Sequence, residues 1–189
     1  PAESPLSLPV HVVTPEQHGA RGDGHADDSK PIHAAVASCA GHSRCKVVLA
    51  KSYLSGPFTL NSSGISLEIT GRLAALPRVA GCTSGKGCYP RSGAAQASWP
   101  AFINAYDLHD ISVTGDGSID FGGAPWWPCK KTGCWRPHLL NFTRVQSLAV
   151  RDIHLVDPAN HFIRVTDCSG VRIERVTMTA PHTSPNTDG

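Results

Sequence analysis

The feature that most restricts what this 189-residue chain can fold into is an internal repeat. Segments beginning at Ala101, His138 and His161 align over roughly twenty positions. They read AFINAYDLHDISVTGDGSID, HLLNFTRVQSLAVRDIHLVD and HFIRVTDCSGVRIERVTMTA, the last two offset by 23 residues. The first spacing is longer because it carries an insertion with Cys129 and Cys134. Matching columns hold matching chemistry: Ile111-x-Val113, Leu148-x-Val150 and Val171-x-Ile173, preceded by Phe102-Ile103, Leu139-Leu140 and Phe162-Ile163. Period-two alternation rich in β-branched residues predicts short strands. A second stripe, Ile153/Val176 and Leu155/Met178, follows, so each repeat holds at least two strands separated by a bend.

A helix-free unit of 23 residues cannot bury its own apolar stripe, whereas stacked copies can. The expected fold is therefore all-β, a parallel β-helix, with the right-handed sense that crossover chirality favours. A leucine-rich repeat needs a Leu-x-x-Leu-x-Leu pattern that is absent, and a β-sandwich is the remaining alternative. Solenoid ends need caps. Asp27-Asp28-Ser29-Lys30-Pro31 supplies helix-start residues, and Ile32, Ala35, Val36 and Cys39 follow at helical spacing, predicting a short capping helix that ends near Gly41. Strands are expected from Lys46 onward. Past Met178 no second cap is visible, so residues 1–189 are expected to be the amino-terminal part of one longer β-helix domain.

Composition narrows the function classes. The chain is 40% apolar and 17% charged, enough for one folded core. No run approaches the roughly 18 to 20 apolar residues of a spanning helix, so no membrane partner is expected. A net charge of +2 without a basic stripe argues against nucleic acid. Ten His would make the surface cationic in acid and favour an anionic partner. Seven Cys fall as Cys39/Cys45, Cys82/Cys88, Cys129/Cys134 and a single Cys168. Their spacing is wider than Cys-x-x-Cys and their neighbours are Gly, Ser and Lys, so disulfides are expected rather than zinc. With the sequons at Asn61 and Asn141, the cysteines point to a secreted glycoprotein whose leader has been removed.

Several motifs could carry chemistry. Gly19-Ala20-Arg21-Gly22-Asp23-Gly24 matches no phosphate-binding loop and reads as a tight turn, and its Arg-Gly-Asp is taken as chance. Asp23, Asp27 and Asp28 lack the closing Glu of a calcium loop, so no metal is expected. Trp126-Trp127 could stack on sugar rings or pin the insertion to the body. Asn186-Thr187-Asp188-Gly189 is the strongest candidate: in a strand, alternation would send Asn186 and Asp188 to one face and Thr187 to the other. An outward carboxylate beside an amide suits glycosidic hydrolysis, in which one carboxyl donates a proton and another activates water.

In order along the chain, His18-Gly-Ala-Arg-Gly-Asp-Gly24 through Asp27-Asp28, Ser52-Tyr-Leu-Ser-Gly-Pro57, Gly115-Asp-Gly-Ser-Ile-Asp120 leading to Trp126-Trp127, Arg136-Pro-His-Leu139 and Ser184-Pro-Asn-Thr-Asp-Gly189 resemble the polygalacturonases of glycoside hydrolase family 28, nearest its plant-type branch. The resemblance implies inverting hydrolysis of α-1,4-galacturonan; no cofactor is expected, and a stack of coils points to a monomer. It implies Asp188 as a catalytic carboxylate that activates water and Asn186 as a substrate-binding residue. The family's Asp-Asp general-acid pair, Gly-His-Gly and Arg-Ile-Lys would lie downstream, so this piece alone is expected to be inert. Where relatives carry Asn-Ser-Pro, this chain has Asp157-Pro158-Ala159-Asn160-His161. Asn160 and His161 are expected at the substrate cleft, with loop packing the alternative. A calcium-assisted pectate-type lyase and a non-catalytic polysaccharide-binding solenoid are the rival readings.

Overall fold

The computed structural model describes residues 9–79 and 101–188. Its strands form three parallel sheets, visited in turn by each coil of the chain. The first sheet stacks β1 (His11–Val13), β3 (Cys45–Leu49), β6 (Ile65–Ile69), β9 (His109–Thr114), β12 (Gln146–Arg151) and β15 (Ser169–Glu174). The second stacks β2 (Asp23–Asp27), β4 (Ser52–Ser55), β7 (Arg72–Ala75), β10 (Ser118–Asp120), β13 (His154–Val156) and β16 (Thr177–Thr179). The third stacks β5 (Phe58–Leu60), β8 (Ala101–Tyr106), β11 (His138–Thr143) and β14 (Ile163–Thr166). This is a parallel β-helix, and each repeat resolves into three strands, consistent with the expected minimum of two.

The repeat alignment is the physical register. Ala101 pairs with His138, Ile103 with Leu140 and Leu140 with Ile163. Inward side chains stack as ladders: Val13, Val47, Leu67, Val113 and Val150 are each at most 3% exposed. Each copy buries the stripe of its neighbour, as the repeat requires. Strands begin earlier than expected, since β1 and β2 both precede the helix.

The corners explain why the strands stop. Asp107, Arg144 and Asp167 occupy one corner column with φ of 55, 53 and 53°, the left-handed region that breaks an extended strand. Arg144 binds Asp107 through two hydrogen bonds of 2.5 and 2.8 Å, one coil to the next, and Arg175 binds Asp152 likewise at 2.5 and 3.0 Å. Both pairs are exposed, so water screens them and they contribute little to stability. A different corner needs glycine for space: a Cβ on Gly117 would lie 2.1 Å from the Gly71 carbonyl oxygen.

The predicted cap is α1 (Ser29–Ala37), which ends at Ser38, three residues before Gly41. Asp28 is its N-cap, but its carboxylate turns away and accepts from the backbone of Arg21 and Gly22 at 2.8 and 3.1 Å, holding the Gly-rich turn against the helix. A disulfide joins Cys39 to Cys45 and so ties the helix end to β3; Tyr53 donates to Glu16 Oε1 at 2.6 Å and anchors the opening turn. The Cys129–Cys134 disulfide closes the insertion around a short helix, α2 (Cys129–Thr132). The Cys82/Cys88 pair lies outside the described residues. Cys168 stands in the Leu108/Val145 column, partly buried, and its sulfur accepts from Val145 N–H at 3.3 Å. No helix among the described residues is long and apolar enough to cross a membrane.

Candidate active site

The third sheet carries the candidate site along its amino-terminal margin, where β11 and β14 begin. The Leu139 N–H donates to the His161 carbonyl at 3.0 Å, and the Phe162 N–H donates to the Asp188 carbonyl at 3.2 Å. By these equivalent bonds His138, His161 and Asp188 follow one another on successive coils. The Asn186–Asp188 segment is not a strand, as alternation suggested: it is a bend, with Asn186 at φ 48°. The bend still turns Asn186 and Asp188 to solvent and half-buries Thr187, whose hydroxyl pairs with Ser184 Oγ at 2.7 Å. The outward carboxylate thus arises from a left-handed turn and not from pleating.

Arg136 organises the margin. It is 8% exposed, and its Nη1 donates to the carbonyls of Ala159 at 2.9 Å and Pro185 at 2.7 Å. Its Nη2 donates to Asn160 Oδ1 at 3.3 Å. One guanidinium therefore joins the Pro158–Asn160 loop to the segment that leads to Asp188. Burial lowers its pKa, yet arginine stays charged. Asn160 is partly committed to this clamp. His161 is half-buried and lies over His138, ring centroids 5.0 Å apart. Burial, then repulsion from His161, Arg164 and Arg136, brings the His138 imidazole down to about 4. Burial also lowers His33, so not every histidine charges in mild acid as composition suggested.

Two hollows flank the margin. One, about 380 Å³, is lined by Lys130, Trp135, Arg136, His138, Asn160 and Arg164, with the Cys129–Cys134 turn at its rim. The other, about 420 Å³, lies between Trp127 and the Thr183–Pro185 stretch. The two tryptophans divide the roles weighed for them. Trp126 is 1% exposed and packs edge-on against Phe121 and Trp135, which pins the insertion. Trp127 is partly exposed, anchored by its indole N–H on the Pro158 carbonyl at 3.1 Å, and lines the second hollow.

Arg136, His138 and Arg164 had no role assigned from sequence. Arg136-Pro137-His138 was visible as a block, but the partners that give it meaning lie 23 to 49 residues away. The Asn141 sequon sits in β11 with its side chain 3% exposed, which leaves no room for a glycan, whereas Asn61 is exposed.

Comparison with known proteins decides the family. The model of Glycosyl hydrolases family 28 matches residues 39–189. The chain belongs to this family. Among curated relatives of this family-28 chain, a polygalacturonase of Malus domestica is 27% identical over 97% of this chain and 39% of its own length. A probable polygalacturonase of Arabidopsis thaliana is 29% identical over 92% and 36%. The chain thus spans well under half the length of these relatives. The polygalacturonase from Erwinia carotovora superposes with TM-score 0.72 at 24% identity, covering 87% of this chain and 48% of that one. A hyperthermoactive exopolygalacturonase from Thermotoga maritima gives 0.73 at 21% identity. Both likenesses bear on the fold.

Proposed function

We propose that these 189 residues form the amino-terminal coils of a longer family-28 glycosidase that hydrolyses α-1,4-galacturonosyl bonds of pectin with inversion. The observation that carries this reading is Asp188: the acidic residue of the closing Asn-Thr-Asp-Gly continues the His138–His161 column and is exposed there. Two hollows border that margin, one edged by an accessible indole and the other by fixed cations. An inverting reaction needs a base and an acid roughly 6.5–9.5 Å apart, with room for water between them. Asp188 acts as a base on that water, and Asn186, exposed two residues before it, contacts sugar hydroxyls. His161 and Asn160 bind substrate on the preceding coil, Asn160 with its carbonyl oxygen held by Arg136. The acid comes from coils beyond these residues.

The relatives named polygalacturonase support the substrate class, and an anionic polymer suits the cationic margin. The two disulfides among the described residues and the exposed Asn61 sequon support secretion. The enzyme works as a monomer on the polysaccharide. The test is release of reducing ends from polygalacturonate, with the anomer of the new end followed by NMR. The longer protein should cut with inversion, the 189-residue chain should not cut, and retention by the longer protein would overturn the mechanism.

A further inference from the structure

We infer that a hollow on the outer face of the first sheet is a second saccharide site, which takes an uncharged hexose polymer away from the catalytic margin. Thr114 is its central residue.

The hollow has a volume of about 540 Å³, larger than either hollow at the margin. Its walls come mainly from β3, β6, β9 and β12, which lie between β1 and β15 in the sheet, so interior coils set its shape. In each coil the first sheet begins where the third-sheet strand ends. The full length of β11 therefore separates the hollow from the His138 margin.

Thr114 marks the hollow as a site. In β9 the inward residues are Ile111 and Val113, so alternation turns Ser112 and Thr114 outward. Thr114 is nevertheless only 8% exposed, set between its register partners Glu68 and Arg151. It lines the hollow, and its hydroxyl has no hydrogen-bond partner among the described residues. A nearly buried hydroxyl without a partner is costly, and native structures hold few of them. A ligand group that accepts from it and donates to it removes that cost.

The surroundings select an uncharged ligand. Ser112 donates to Ser66 Oγ at 2.9 Å, which leaves the Ser112 oxygen to accept and the Ser66 hydrogen to donate. The charges lining the hollow are matched: Lys46 meets Glu68 at 2.5 Å, Asp110 meets His109 at 2.8 Å, and Arg151 reaches Asp152 at 3.5 Å. Arg44, at the same wall, is engaged as well. An ionic ligand thus finds no unmatched charge, and the carboxylates of Glu68 and Asp110 repel an anion. A sugar hydroxyl both donates and accepts. It matches the hydroxyls of Ser66, Ser112 and Thr114, with Glu68 as acceptor and Arg151 as donor on either side.

The experiment is calorimetric binding to the longer protein, with cellohexaose and β-1,4-galactohexaose as probes. At least one of them should bind at millimolar concentration. Thr114→Val, which keeps the shape and removes the hydroxyl, should weaken that binding about three- to tenfold, as should Ser112→Ala. Both variants should keep the parent's melting temperature and its turnover on polygalacturonate. Failure of both probes to bind, or binding untouched by both substitutions, would overturn the site. A Thr114→Val protein that loses melting temperature but no affinity would also overturn it, because the hydroxyl would then serve the fold.

Discussion

The guanidinium of Arg136 donates a 2.7 Å hydrogen bond to the carbonyl of Pro185, 49 residues further along the chain and three before Asp188. A second bond from the same nitrogen, 2.9 Å to Ala159, fixes the loop of the preceding coil. Replacing Arg136 with Met should orphan buried carbonyls and cost about 2–3 kcal/mol of stability, read as a lowered denaturant midpoint. Because the clamp acts on the segment that holds Asp188, turnover should fall more than the melting temperature alone accounts for, measured well below that temperature. Arg136→Lys, which keeps one donor direction, should recover part of both.

Gly117 sits at a corner where coils approach backbone to backbone, its N–H donating to the Ile69 carbonyl at 2.9 Å. The Cβ of Gly117→Ala would enter the Gly71 carbonyl at 2.1 Å. Chemical denaturation should show a loss of roughly 2–3 kcal/mol, because a backbone atom cannot swing aside as a side chain can. Gly122→Ala, where nothing lies within 4 Å, meets only the strain of a φ of 63° and should cost about 1 kcal/mol.

Acid should weaken the fold through His138. Its pKa in the folded chain is about 4, below the ordinary histidine value, because it is buried near other cations. The unfolded chain therefore binds the extra proton first as pH drops. Stability contributed by the neutral imidazole is fully present above about pH 6.5 and is lost as pH falls toward 4, a change of roughly 1–2 kcal/mol after allowance for water in the hollow. His138→Gln should flatten that part of the stability curve; an unchanged slope would contradict the assignment.

On secretion, a glycan should attach at Asn61 and not at Asn141. Asn61→Gln should remove the enzymatically releasable mass. Asn141→Gln should leave the mass shift intact and lower the melting temperature instead, since that amide is 3% exposed within β11.

The coil stack was legible because each coil repeats its apolar columns, and Ile111, Leu148 and Val171 align in sequence as they do in space. The cap was legible through Ile32, Ala35 and Val36, which the structure buries together. The bend at Asn186 was not, because alternation assumes an extended chain and a left-handed φ reverses the assumption locally while still exposing the same residues. The margin built by Arg136 was hidden for a different reason: its two shortest bonds go to backbone carbonyls, which carry no side-chain signature. Asn160, expected to face substrate, shows the same limit, since the Arg136 contact that orients it exists only once two coils are stacked.

The most direct test of the account is the rate at which the longer protein releases reducing ends from polygalacturonate before and after Asp188→Asn. The substitution keeps the backbone carbonyl that Phe162 binds, so the fold should be retained, with a melting temperature within about 2 °C of the parent. Turnover should fall roughly 10²–10⁴-fold. Wild-type turnover by a folded Asp188→Asn protein would contradict the claim that this carboxylate acts on the attacking water.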